Sequence, residues 1–203
     1  MKKENLNVEE LKNKLYKILM SDNVVESIKE NLGDLLEIIP EIKDMIGFQH
    51  NHPHHHLDVW QHTLLALSLS EKDFDIRLCL LLHDIGKPHS YQDKEIRHFK
   101  GHPKVSKDIS KKILSRLNFD KEYIDKICYL IKNHDKGIRE KDIANNYDLE
   151  LKRYKIQYCD TYAHNPEKIQ KRVEYLDYIS FLLNEYSPEF NSDNNSFVFY
   201  KKK

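Results

Sequence analysis

The sequence is poor in residues that interrupt helices, with five glycines and six prolines in 203 positions. That is too few for the turn-dense wiring of a sandwich or barrel. Strand-like alternation bounded by turn dipeptides is nearly absent, and no internal repeat is visible. An all-α fold is the expectation, and the length suits one well-cored domain. Net charge is also lacking, since 33 basic residues face 33 acidic ones. No dominant basic surface follows from these totals, so nucleic acid is not the expected partner. The longest apolar run, Leu78 to Leu82, is far too short to span a bilayer, and the opening MKKENLNVEELKNK has no apolar signal region. A cytoplasmic protein without a membrane partner is expected. Cys79, Cys128 and Cys159 form an odd set without CxxC spacing. They read as small buried hydrophobes rather than a disulfide or a thiolate zinc site.

What is present is helical period almost everywhere. Asn7 and Glu10 make a capping pair for a helix carrying Val8, Leu11, Leu15 and Ile18 on one face. A second amphipathic stretch runs from Val24 to about Leu32 with Gly33 as its C-cap, and a short one follows before Pro40. A helix from Asp58 to about Ser70 places His62, Leu65, Ala66 and Leu69 on one face. The next, from Asp75 to Asp84, is apolar nearly all round, as a central buried helix is. Pro103 opens a helix bearing Val105, Ile109 and Ile113. Ile124, Ile127, Ile131 and His134 mark another face, and Leu149, Ile156, Asp160 and Ala163 a further one. The last helix spans about Glu167 to Glu185, with Ile169, Val173, Leu176 and Leu183 inward.

Five polar groups sit where an apolar residue belongs: His62, His83, Asp84, His134 and Asp160. One buried histidine alone is usually a hydrogen-bonded core residue. Imidazoles and carboxylates on separate helices are, together, the ligand types a divalent metal takes in a helical core. His83 and Asp84 diverge by roughly 100° on an ideal helix, but at its final turn both can reach a metal beyond the end. The IleGlyLysPro that follows adds a glycine stop and a lysine suited to phosphate.

These residues carry a resemblance. The chain resembles the HD-domain metal-dependent phosphohydrolases through His62 in DVWQHTLLAL, LLHDIGKP at 81–88, and Asp160 in IQYCDTYAHNP. Within that superfamily PEIKDMIGFQHNHPHHHLDVWQHT, HFKGHPKVSKDISKKILSRL and YLIKNHD are similar to the HD portion of bacterial CCA-adding tRNA nucleotidyltransferases. The similarity covers about residues 39 to 165. It implies a helical HD-domain bundle at 39–165, with a helical extension at 1–38 packed on it, a C-terminal helix at 166–186 and a loosely ordered tail at 187–203.

The resemblance also implies that His62, His83, Asp84 and Asp160 hold one divalent ion, with His102 in GHPKVS and His134 placed for a second. Iron, manganese, cobalt, nickel, magnesium and zinc are the candidates. Asp84 would bridge two ions or orient a water, and Lys87 would face a substrate phosphate. Arg97, His98 and His55 are weaker substrate-binding candidates. The residues before position 39 are too few for a nucleotidyltransferase head, so CCA addition is not expected of this chain.

The run QHNHPHHHLDVWQHT, residues 49–63, holds six histidines. It is interrupted by Asn51 and Pro53 and leads into a core helix, so it does not read as a tag. His62 is expected as a ligand, His55 as a residue lining the site, and His50, His52, His54 and His56 as surface residues. The leading functional expectation is hydrolysis of a phosphoester in a nucleotide or related small phosphorylated metabolite through metal-activated water. Nucleoside monophosphates, 2′,3′-cyclic phosphates and dinucleotides fit, whereas the GYP signature of cyclic-di-GMP phosphodiesterases is absent. The rival expectation is a non-catalytic, metal-stabilised module that binds RNA ends or a protein partner.

Overall fold

The computed structural model describes residues 8–92 and 96–186. Asx side chains start five of the α-helices. Asn23, Asp58, Asp73, Asp120 and Asn146 each accept a hydrogen bond from a backbone N–H three residues on. Each thereby satisfies a donor that the first helical turn leaves open. Asp58 forms a reciprocal capping box with Gln61.

The helices are α1 (Val8–Leu19), α2 (Val24–Glu30), α3 (Leu32–Ile38), α4 (Val59–Ser68), α5 (Phe74–Leu82), α6 (His102–Arg116), α7 (Lys121–Lys132), α8 (Glu140–Asn145), α9 (Tyr147–Tyr162) and α10 (Gln170–Tyr186). Short 3-10 turns cover Pro40–Met45, Lys87–His89 and Pro166–Lys168. The fold is all-α. No strand occurs among the described residues, and pairing is limited to isolated bridges between Gln49 and Asp58 and between Gln92 and His98.

Helix α5 is the axis. Its residues from Ile76 to Leu82 are all buried, between α1, α4, α7 and α9. Leu15, Leu19, Ile28 and Leu35 of the first three helices belong to the same apolar core as Leu78, Leu80, Ile127 and Ile156. The Arg77 guanidinium, buried in this core, donates to the carbonyls of Leu19 and Ser21 at 2.6 and 2.8 Å. It thus closes the C-terminal end of α1, where carbonyls lack helical partners. A second cluster, including Ile143, Tyr154, Leu176, Ile179 and Leu183, packs α8 and α10 against α9. The three cysteines are free and buried.

Several expectations change. Gly33 is not a C-cap: α2 ends at Glu30, Asn31 caps it through Ser27, and Gly33 lies inside α3. Leu69 is 38% exposed, because α4 ends at Ser68 and position 69 leaves its inward face. Val8, at the first residue of α1, is also exposed rather than inward. Asn7 and the tail at 187–203 lie outside the described residues.

Candidate metal centre and active site

Six side chains converge from five helices and their ends. His62 lies in the middle of α4, His83 caps α5 with Asp84 directly after it, and Asp160 sits in the last turn of α9. His102 is the first residue of α6, and His134 follows the end of α7. His62, His83, Asp84 and Asp160 are buried and offer ligand atoms that all lie within 4.8 Å of one another. Asp84, His102 and His134 form a second such group.

The orientation of each imidazole is set by the backbone. Nδ1 of His62, His83, His102 and His134 lies 3.0, 2.7, 3.0 and 2.7 Å from the carbonyls of Ala163, Leu80, Phe99 and Ile131. A carbonyl only accepts, so each Nδ1 carries the proton and each neutral ring presents its Nε2 lone pair to the centre. His62 Nε2 is 3.4 Å from His83 Nε2, and His102 Nε2 is 3.3 Å from His134 Nε2. Two lone pairs facing each other at such distances call for a cation or a proton between them.

Asp84 joins the two groups. Its Oδ2 is 3.3 Å from His83 Nε2 and 3.6 Å from His62 Nε2, and its Oδ1 is 3.2 Å from His102 Nε2. Both oxygens are buried and neither has hydrogen-bond geometry to a partner among the described residues. Lys87 Nζ pairs with Oδ2 at 2.6 Å, but Oδ1 has no ammonium or guanidinium beside it among the described residues, and a desolvated carboxylate oxygen is costly unless a cation takes its lone pairs. The donor set therefore fits a divalent metal. Asp160 Oδ1 lies 3.0 Å from His62 Nε2 and 3.4 Å from His83 Nε2, while Arg172 Nη1 is 3.3 Å from its Oδ2.

Electrostatics agree with geometry. Burial opposes charge on His83, but the adjacent Asp84 and the Asp160 oxygen raise it to about 10, so a proton fills the metal's place when none is bound. Burial would raise Asp84, but His83, Lys87 and His102 hold it well below the usual carboxylate range. Asp160 is held low in the same way by His164, His62 and His83. Burial and the neighbouring His83 and His102 push His134 down to about 4.

Gly86 is needed for contact rather than for turning. Its φ is an ordinary −85°, so it does not stop the helix by a left-handed turn. A Cβ there would lie 2.4 Å from Ser106 N and 2.8 Å from the His102 carbonyl oxygen. Only glycine lets the 83–87 turn lie against the first turn of α6, where Gly86 N donates to Ser106 Oγ at 2.9 Å. That contact brings Asp84 to His102. The loop carrying His134 is held from the other side. Arg153 donates to the carbonyls of Asn133, Lys136 and Gly137 at 3.0, 2.6 and 2.9 Å and to Glu150 at 2.8 Å.

The centre opens into a cavity of about 390 Å³, lined by Lys87, Arg97, His98, Lys100 and Arg172 among others. Lys87 is buried, with Nζ 2.6 Å from Asp84 Oδ2 and 3.1 Å from His50 Nε2. Arg97 lies over the rings of Phe48 and Tyr91 and donates to the Gln49 carbonyl. His98 is exposed at the rim. His55 lines the cavity, and its Nδ1 is buried without a partner among the described residues.

The expectation that His50 lies on the surface is wrong. His50 is 1% exposed, because Val59 N pairs with the Phe48 carbonyl and draws the segment onto α4. His54 and His56 are exposed, and His52 is half-buried. Sequence reasoning also missed His164, Arg172 and Lys100. His164 lies four residues after Asp160, its Nδ1 donating to the Asp160 carbonyl at 2.6 Å, and burial pushes it down to about 3. That i, i+4 spacing was a readable signal, whereas nothing in the pattern of α10 singles out Arg172.

Comparison with known proteins follows the same lines. The HD domain family model matches residues 54–180. A CC-adding tRNA nucleotidyltransferase from Thermus thermophilus is 32% identical over 136 residues, covering 62% of this chain and 31% of the relative. An A-adding tRNA nucleotidyltransferase from Deinococcus radiodurans is 31% identical over the same coverage of 62% and 31%. A multifunctional CCA protein from Pseudomonas fluorescens is 26% identical, over 68% of this chain and 35% of its own length. The chain spans about a third of the length of the curated relatives it matches.

Proposed function

Because the chain belongs to the HD domain family, within the metal-dependent phosphohydrolase superfamily, we propose that it hydrolyses a phosphoester of a nucleotide or a related phosphorylated molecule. The observation that carries this reading is Asp84, whose two buried oxygens face two separate sets of imidazoles. In this reading His62, His83, Asp84 and Asp160 hold one divalent ion, and Asp84, His102 and His134 a second. Bound there, the metal supplies an activated water and neutralises charge at phosphorus. Lys87 reaches into the same cavity and stabilises the charge that develops on the phosphoryl oxygens. Arg97, Lys100, Arg172 and His98 line the cavity and orient the anionic substrate. His55 contributes an imidazole wall.

The names of the matched relatives favour one further reading, a metal-stabilised module that holds an RNA end. The two are separated by one panel: nucleoside monophosphates, 2′,3′-cyclic phosphates, dinucleotides and end-phosphorylated RNA, each with manganese, iron, cobalt, nickel, magnesium or zinc. Hydrolysis restricted to some metals and lost in Asp84→Ala supports the enzyme. RNA binding that persists without turnover on any substrate supports the module.

A further inference from the structure

His50 is the most deeply buried member of the 50–56 run. Its Nδ1 lies 2.8 Å from the Leu57 carbonyl, which only accepts, so the proton is on Nδ1. The neutral ring then has one lone pair left, on Nε2, and that atom is 3.1 Å from Lys87 Nζ. An ammonium only donates. The direction of both hydrogen bonds is therefore fixed by chemistry.

The ring has little freedom to leave. It stacks on His55 with centroids 3.7 Å apart and planes 4° from parallel, and meets Phe99 edge-on at 5.7 Å. Its backbone is pinned as well, by the Val59–Phe48 bond and by Arg97 N donating to the Asn51 carbonyl at 3.1 Å. Lys87 Nζ has Asp84 Oδ2 at 2.6 Å and the face of Phe99 at 5.6 Å as its other neighbours.

We propose that His50 is a positioning residue for Lys87, its Nε2 lone pair fixing the Lys87 ammonium so that the remaining N–H groups serve the cavity. The proposal rests on the reading of Lys87 as a phosphate contact. In that reading Asp84 gives its lone pairs to cations, which repel a neighbouring ammonium. His50 is the acceptor that remains available to Lys87 whatever Asp84 binds. A histidine read as a surface residue is thus part of the machinery without touching substrate.

The test uses the full chain loaded with zinc and three readouts: zinc content, the lysine ammonium signals in a nitrogen-15 NMR spectrum, and affinity for inorganic phosphate. A protected ammonium signal that vanishes in Lys87→Ala identifies Lys87. His50→Leu, or His50→Phe if the leucine variant does not fold, should erase that signal while leaving zinc content unchanged. His50→Gln, whose amide oxygen accepts the same bond, should keep it. Loss of a hydrogen bond to a charged group corresponds to about tenfold or more weaker phosphate binding in the leucine variant. The same substitution in a Lys87→Ala background should cost nothing further. An unaltered ammonium signal in His50→Leu, or equal phosphate losses with and without Lys87, would overturn the proposal. A His50-dependent signal in a protein that binds no phosphate would instead overturn the phosphohydrolase reading and leave the His50–Lys87 link standing.

Discussion

Asp84 Oδ1 lies 3.2 Å from His102 Nε2, on the opposite side of the carboxylate from His83, whose Nε2 is 3.3 Å from Oδ2. One side chain thus serves two imidazole pairs that the chain delivers independently. His62 and His83 come with α4 and α5, while His102 and His134 come from the start of α6 and the loop after α7. The second pair depends on contacts that the first does not share, and the two can be separated by mutation.

Gly86→Ala places a methyl group 2.4 Å from Ser106 N, a backbone atom that cannot step aside alone. Overpacking of this kind costs about 1–3 kcal/mol. The expected outcome is a lower melting temperature and loss of the metal held with His102, with the His62 and His83 group still loaded. Calorimetry with elemental analysis reads both, and an unchanged metal content would show that this close approach does not set the second group.

Arg153 and Glu150 are 3% and 1% exposed, and Tyr129 donates to the same carboxylate. Arg153→Met leaves a buried charge without its partner and should destabilise the chain by about 3–5 kcal/mol. It also removes one donor from each of the carbonyls of Asn133, Lys136 and Gly137, leaving Gln157 as a donor to the first two, so the loop carrying His134 is held less firmly. Urea denaturation gives the first effect. A loss below about 1 kcal/mol, the scale of an ordinary hydrogen bond, would contradict this reading of the pair.

His83 sets a pH dependence. Its pKa is raised from 6.5 to about 10 in the metal-free protein by Asp84 and Asp160 against the opposing effect of burial. A raised value means that the charged form stabilises the fold fully below 6.5 and that this contribution is lost as pH rises through about 10. A metal that takes Nε2 displaces the proton, so its affinity rises with pH across that window and binding releases about one proton. Titration calorimetry in buffers of different ionisation enthalpy measures the release. Binding without proton release would place the proton elsewhere.

Much of this arrangement was legible because burial penalises polar groups. His62, His83, Asp84, His134 and Asp160 interrupt apolar stripes, and the structure brings them together. The helices were legible because apolar residues recur at the helical period, as Leu11, Leu15 and Ile18 do on α1 and Ile124, Ile127 and Ile131 on α7. His50 was not legible, because residues 46–57 form no helix and offer no period against which an inward position stands out. Arg153 and Glu150 look in sequence like any exposed pair three residues apart, and only the packing of α7 and the 133–137 loop buries them. In sequence Gly86 looks like a helix stop, whereas its role is the approach of a distant helix that local pattern does not reveal.

The central claim, that Asp84 serves two metal ions, is tested most directly by counting metal. The protein should be purified without nickel chromatography, because of the 50–56 histidines, saturated with manganese or iron, and analysed for elemental content beside a His102→Ala, His134→Ala double variant. About two ions per chain in the wild type, as in two-metal hydrolases, and about one in the double variant is the predicted result. One ion per chain in both would contradict the shared role of Asp84 and leave His102 and His134 with other work at the cavity.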